Sequence, residues 1–246
     1  MVHETSHEIP EALEDIAAKF AAKVRAPILD LGINNVYNAD QTEVRCSRKT
    51  KARTTVMLMG DSVGVKYRLF VVFKAKPSTV PVMVPENTRN TRLGYGFAKG
   101  IWKHMNVAHQ ERKLEIYGKL KAWWNSDLSK QFMTYHFAAR RGIQVPILLI
   151  WDDFSGHWTP EGVSYSASIN VALMEVPAGA TFACQPAADA WNYPFKEKLR
   201  ECWTYGNLLD DADVAAADLI HAVAMHCAID MKGGEIDSDD DIGNVE

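Results

Sequence analysis

Two aspartates stand where a sheet-forming protein could bind a metal ion. Asp40 follows a short apolar stretch at residues 36–39, and Asp152 follows a strongly apolar run at 145–151. In sheets with helices on their faces, chemistry takes place at the ends of strands. Carboxylates at such ends are the oxygen ligands that Mg²⁺ prefers. Asp40 and Asp152 are therefore the first candidates for a metal site, although an isolated aspartate after a strand is more often a turn or cap residue.

A run of cations lies shortly after the first aspartate. Positions 45 to 53 hold five basic residues and no acid, in a chain with a formal net charge of −4. Such a run suits contact with phosphates, which positions DNA without reading its sequence and weakens steeply with salt. A solvated loop is an equally good interpretation. The candidate DNA-binding residues are Arg45, Arg48, Lys49, Lys51 and Arg53.

The elements around these residues alternate between strand and helix patterns. Apolar residues recur every three or four positions over 9–25, which predicts an amphipathic helix that Pro27 ends. A Gly and Asp turn separates strand-like residues 54–59 and 65–74, which predicts a hairpin. Hairpin strands followed by alternating strands and helices predict a mixed sheet with helices on its faces. The other expected elements are a helix at 127–141, a strand buried on both faces at 145–151, a strand at 169–174, and helices at 102–108, 194–205 and 211–227.

Composition excludes several classes of protein. The 246 residues are 47% hydrophobic and 24% charged, which supports a real core and not a disordered chain. The four cysteines form no CxxC pair, so we expect neither a zinc cage nor a disulfide framework. No apolar run approaches the roughly 18 residues of a membrane helix. The glycines near position 96 follow no strand, so we expect no nucleotide loop and no organic cofactor. Because the chain has no long apolar run, we also expect no membrane partner.

Four phrases resemble, in order, the DDE endonuclease domain of pogo-like transposases, the branch of the mariner superfamily to which centromere protein B is related. They are residues 34–42 (NNVYNADQT), 57–70 (MLMGDSVGVKYRLF), 149–158 (LIWDDFSGHW) and 184–196 (CQPAADAWNYPFK). The resemblance implies an α/β, RNase H-like mixed sheet, with N-terminal antiparallel hairpin strands, then parallel strands, and helices on both faces. It also implies metal-dependent DNA cleavage and strand transfer with two Mg²⁺ or Mn²⁺ ions, by a homodimer or higher assembly on DNA in the nucleus.

The resemblance implies three metal-binding acids, and the third departs from the family pattern. Carried over position by position, the first acid is Asp40 and the second is Asp152. The position expected for the third holds Ala188, and Asp189 stands one residue later, which on a helix turns a side chain by about 100°. Either the local backbone shifts register, or Asp153 partners Asp189, because 189 − 153 and 188 − 152 both equal 36.

Further residues near the phrases are candidates for support. His157 would orient a metal-bound water or a phosphate, or is a plain loop histidine, and Asn192 is a second supporting candidate. The tryptophans at 123, 124 and 191 could stack on bases, although core packing is the more common role of tryptophan.

The expected organisation has four parts. Residues 1–27 form a helix leading into the core, 28–206 the RNase H-like DDE core, 207–230 a C-terminal helix, and 231–246 an acidic tail without order. A short stretch after Asp40 and a missing helix-turn-helix module depart from the family and suggest a truncated or degenerate copy. Two alternatives stay open: a non-catalytic DNA-binding or interaction protein derived from such an enzyme, and an unrelated mixed-sheet module.

Overall fold

The computed structural model describes residues 11–45, 53–74, 114–119, 121–185, 191, 192 and 195. Each described helix and strand is named here in chain order. They are α1 (Glu11–Leu31), β1 (Val36–Arg45), β2 (Arg53–Asp61), β3 (Phe70–Lys74), β4 (Glu115–Lys119), α2 (Ser126–Met133) with a π-helical turn at Thr134–Ala138, β5 (Ile147–Trp151), a 3₁₀ turn at Ser155–His157, α3 (Pro160–Ser168), β6 (Val171–Glu175) and α4 (Thr181–Cys184).

Six strands form one mixed sheet in the order β4-β3-β2-β1-β5-β6. Strand β2 pairs antiparallel with β1 on one side and with β3 on the other. β5 then joins β1 in parallel, β6 joins β5 in parallel, and β4 pairs in parallel with β3 at the other edge. The predicted α/β class, an RNase H-like mixed sheet with antiparallel strands first and parallel strands after, is confirmed.

Helices cover both faces of the sheet, as predicted, and each face has its own core. On one face, α2 supplies Phe132, which packs with Phe70 and Trp151. On the other face, Phe20 of α1 lies in a cluster with Leu148 and with residues near α4. Side chains alternate along a strand, so β5 contributes to both cores, and all five of its residues are buried. The prediction of a strand buried on both faces is therefore confirmed for residues 147–151, whereas Val145 precedes the strand and is exposed.

Helix α1 ends later than the sequence predicted. Pro27 lies inside the helix, which continues to Leu31. A proline within a helix removes one hydrogen bond and favours a kink. However, Ile28 packs against the α1 core, the buried cluster that contains Phe20 and Leu148, and this burial favours continuing the helix. The end comes at Gly32, whose φ of +63° is the left-handed conformation common after a helix.

None of the described helices, including the 21-residue α1, is both long and apolar enough to span a membrane.

Strand β1 is longer than the apolar stretch that predicted it. It pairs with β2 from Tyr37 to Arg45, so Asp40 lies inside the strand and not after its end. The expectation that Asp40 follows a strand is therefore wrong. Polar residues after position 39 hid the strand from a hydrophobic pattern, whereas backbone pairing with β2 extends it.

The hairpin between β2 and β3 has the predicted turn but a later second strand. Asp61 Oδ1 accepts hydrogen bonds from the backbone N–H groups of Val63 at 3.0 Å and Val65 at 2.9 Å, which closes the turn. Regular pairing resumes only at Phe70, not at position 65. The expected helices at 102–108 and 211–227, most of 194–205, and the predicted segments 207–230 and 231–246 lie outside the described residues.

Candidate functional site

Asp40 and Asp152 lie at the same level of neighbouring parallel strands. β1 and β5 pair in parallel up to Asn38 opposite Ile150. Continuing that register by two residues places Asp40 level with Asp152, which directly follows β5. The structure therefore places both predicted acids just beyond the paired residues of β1 and β5, although their positions in the chain differ by 112 (152 − 40).

Asp40 is buried, and two residues that follow α4, Gln185 and Asn192, contact β1 beside it. Asn192 Nδ2 donates a hydrogen bond to Asp40 Oδ2. Gln185 Nε2 donates to the carbonyl oxygen of the adjacent Ala39 at 3.2 Å. Two amide side chains therefore attach these residues to β1 beside the carboxylate, and both are buried.

Asp152 is held by the loop that leaves β5. Its Oδ1 accepts a hydrogen bond from the backbone N–H of Phe154 at 3.3 Å, and its carbonyl oxygen accepts one from Trp158 Nε1 at 2.8 Å. His157 Nε2 lies 3.1 Å from the same Oδ1. The oxygen is off the axis of the ring N–H, so the contact is close but bent and Nε2 does not meet hydrogen-bond geometry.

His157 has no exposed surface, and its ring stacks on Trp151 with centroids 3.8 Å apart. Burial lowers the pKa of His157 below its usual value, while the neighbouring Asp152 carboxylate acts in the opposite direction. The ring is therefore neutral near pH 7. On the side of the acidic residues, His157 contacts Asp152, so this buried histidine supports that carboxylate.

Ser129 of α2 completes the contacts of the histidine. Ser129 Oγ lies 2.8 Å from His157 Nδ1 and accepts a hydrogen bond from Trp124 Nε1 at 2.9 Å. In a neutral ring, a proton on Nε2 faces the Asp152 carboxylate and leaves Nδ1 to accept from the serine hydroxyl. The opposite tautomer would place a nitrogen lone pair against the carboxylate. Nothing in the sequence pattern singled out Ser129.

A serine, a histidine and an aspartate in contact also suggest a hydrolase triad, which the burial excludes. Ser129 has no exposed surface, so its hydroxyl cannot reach a substrate. A nucleophilic serine needs an accessible oxygen near an oxyanion site. These residues therefore fit support of Asp152 and not covalent catalysis.

The remaining predicted site residues are distributed differently. Asp153 is exposed, and the described residues include no group of three His, Cys, Asp or Glu side chains that could hold a metal. Arg45 and Arg53 are backbone partners across β1 and β2. Asp189, Ala188, Arg48, Lys49 and Lys51 lie outside the described residues.

The donor set around the acids suits a hard divalent cation. Besides the two carboxylates, the amide oxygens Gln185 Oε1 and Asn192 Oδ1 are buried without a hydrogen-bond partner. Mg²⁺ and similar ions select carboxylate and amide oxygens. The residues present therefore fit the ion that the sequence implied.

The three tryptophans have different environments. Trp124 is 5% exposed and lies in the α2 core, whereas its neighbour Trp123 is 56% exposed. Trp191 is buried, and the Lys66 ammonium lies 5.1 Å from its ring centroid. Core packing is therefore confirmed for Trp124, while Trp123 lies at the surface.

Comparison with known proteins gives one family. The family model for the DDE superfamily endonuclease matches residues 51–229. No curated protein matches the chain.

Similar solved structures are those of Mos1 transposase, at low sequence identity. The Mos1 paired-end complex with the left transposon end has a TM-score of 0.40 and 9% identity, covering 92% of this chain and 63% of that one. The Mos1 mariner paired-end complex with Mn has a TM-score of 0.39 and 10% identity, covering 93% and 65%. The Mos1 catalytic domain with raltegravir and Mg has a TM-score of 0.36 and 12% identity, covering 89% and 93%. The chain thus spans less than two thirds of the Mos1 chains in the two paired-end complexes.

Proposed function

Because the chain belongs to the DDE superfamily endonucleases, we propose that it is the catalytic core of a pogo-like DNA transposase. The reaction is cleavage and joining of DNA strands by phosphodiester hydrolysis and transesterification. The observation that carries this proposal is that Asp40 lies on β1 and Asp152 directly follows β5, in strands that pair in parallel up to Asn38 opposite Ile150.

In this proposal Asp40 and Asp152 hold two Mg²⁺ or Mn²⁺ ions, with Asp189 or Asp153 as a further acid. When bound, the ions supply an activated water and stabilise charge on the attacking and leaving oxygens. The protein's own contribution is to position the two carboxylates. The Phe154 N–H donates to the Asp152 carboxylate, the His157 ring lies beside it, and Asp40 is buried and accepts a hydrogen bond from Asn192.

DNA is the proposed partner, bound by a homodimer or higher assembly in the nucleus. The basic run at 45–53 supplies phosphate contacts, and the similar Mos1 structures include a paired-end complex and a strand transfer complex. Phosphate contacts release counterions, so we expect DNA affinity to fall steeply as salt rises.

The direct test is Mn²⁺-dependent nicking of DNA that carries the correct transposon ends, with EDTA as the metal-free control. Asp40→Asn and Asp152→Asn should each reduce the rate by about 100-fold or more, since each removes a charged metal ligand. Asp61→Asn is the matched control, because Asp61 closes a turn and its replacement keeps an acceptor oxygen. Equal rates in all three variants would refute the proposal.

One observation favours a second function, a non-catalytic DNA-binding protein derived from such an enzyme. Ala188 occupies the position where the resemblance implies the third acid. If the enzyme has lost this ligand, the parent should bind DNA without nicking it, and Ala188→Asp should raise nicking. No gain from Ala188→Asp on the correct ends would count against the alignment of position 188 with the third acid.

A further inference from the structure

Two amide oxygens next to Asp40 lack the partners that buried polar atoms require. Asn192 is 6% exposed and Gln185 is 1% exposed. Each uses its N–H₂ group, toward Asp40 Oδ2 and the Ala39 carbonyl respectively. Within the part of the chain that the structure describes, Asn192 Oδ1 and Gln185 Oε1 have no hydrogen-bond partner. Buried acceptors are almost always paired, so such atoms call for an explanation.

The position of Asn192 is fixed by its neighbours in space. The preceding Trp191 is buried and carries the Lys66 ammonium over its ring at 5.1 Å. Gln185 attaches the start of the same segment to β1, one residue before the buried acid. The side chain of Asn192 therefore lies beside Asp40 because the tertiary structure holds it there.

We propose that the Asn192 amide oxygen is a third protein ligand of the divalent cation that Asp40 and Asp152 bind. This inference rests on the proposed function. A half-turn of the terminal amide exchanges Nδ2 and Oδ1 without moving the backbone, so the amide whose N–H₂ group faces the carboxylate can also present its oxygen to a cation. Amide oxygens are hard ligands of Mg²⁺ and Mn²⁺, and a neutral third ligand neutralises less charge than a third acid.

A purely structural role for Asn192 makes a different prediction. If the residue only donates its N–H to Asp40, its carbonyl carbon has no reason to lie at bonding distance from a bound ion. If its oxygen is a ligand, that carbon lies about 3 Å from the ion. A spectroscopic measurement of this distance separates the two roles.

The experiment uses the full chain labelled with ¹³C-asparagine and loaded with Mn²⁺. Electron–nuclear double resonance should show a ¹³C coupling that corresponds to about 3 Å. Asn192→Leu should abolish the coupling and weaken Mn²⁺ binding by at least about 10-fold, as expected when a metal site loses a ligand or its support. Asn38→Leu is the matched control, because Asn38 lies two residues from Asp40 on β1, and it should keep the coupling.

The outcomes separate the two proposals. Mn²⁺ binding that depends on Asp40 but shows no asparagine coupling would overturn the ligand role of Asn192 and leave the proposed function standing. Parent protein that does not bind Mn²⁺ through Asp40 and Asp152 would overturn the proposed function itself. The coupling is measured in the parent, so the test does not depend on whether Asn192→Leu folds.

Discussion

His157→Phe should weaken metal binding without unfolding the protein. The phenylalanine ring can keep the stack on Trp151, whose centroid lies 3.8 Å from that of the histidine at an interplanar angle of 14°. The serine hydroxyl that faces Nδ1 can turn to the Gly156 carbonyl at 3.0 Å. We therefore expect the free energy of unfolding to change by only about 1 kcal/mol, the net value of one hydrogen bond.

The expected loss in metal affinity is larger. The substitution removes the Nε2 group that lies 3.1 Å from Asp152 Oδ1. Removing a group that orients a metal ligand typically weakens binding 10- to 100-fold, or about 1.4–2.8 kcal/mol. The ring is neutral near pH 7 because burial lowers its pKa, so the loss does not come from a change in net charge.

The assay is Mn²⁺ titration by calorimetry or by the electron paramagnetic resonance signal of the free ion, with Tm measured on the same samples. His157→Gln places an N–H donor near the position of Nε2 and should recover part of the affinity. His136→Phe is the control, since it makes the same change in another aromatic setting, 4.6 Å from Phe132. Parent-like Mn²⁺ affinity in a folded His157→Phe protein would show that the histidine does not position Asp152.

Two further predictions concern stability. Trp124→Ala should lower the free energy of unfolding by about 3–5 kcal/mol, because a buried aromatic side chain is lost, whereas Trp123→Ala at the exposed neighbouring position should cost less than about 1 kcal/mol in urea unfolding. Burial, with a smaller contribution from Arg68, lowers the pKa of His136 to about 3. The unfolded chain then binds the proton first, so stability is complete above about pH 7.5 and falls by about 2 kcal/mol at pH 5, given an unfolded pKa of about 6.5. His136→Phe should remove that part of the pH dependence, and an unchanged slope would contradict the assignment.

The parts of the fold that the sequence predicts are those with a strong local pattern. The strand at 147–151 is apolar throughout, and the turn at Asp61 carries the Gly and Asp residues that turns require. Pro27 misled the prediction of α1, because a local rule cannot include the packing of Ile28 against the buried cluster that contains Phe20 and Leu148. Strand β4 and helix α3 were not predicted, since five residues and a serine-rich helix give weak patterns.

In the candidate site too, local patterns predicted some residues, whereas the contacts between them depend on tertiary packing. Strand patterns and the resemblance led to Asp40 and Asp152, and pairing of β1 with β5 brings them together. The sequence named His157 and Asn192 as supporting candidates, but spacing could not show which residues they contact, and it did not indicate Ser129 at all. Ser129 meets His157 across 28 residues and Asn192 meets Asp40 across 152, and both contacts exist only because separate elements pack on the sheet.

The two carboxylates are held from different sides of the sheet. The chain of contacts from Trp124 through Ser129 to His157 belongs to the α2 face, where Trp124 and Trp151 are part of one core. Asp40 is held by residues that follow Cys184, which lies in the α1 core. Substitutions in separate cores that share no partner change stability additively. A cation bound by both carboxylates would link the two sides. Substitutions of His157 and Asn192 should then have non-additive effects on metal binding. Their effects on the stability of the protein without metal should be additive.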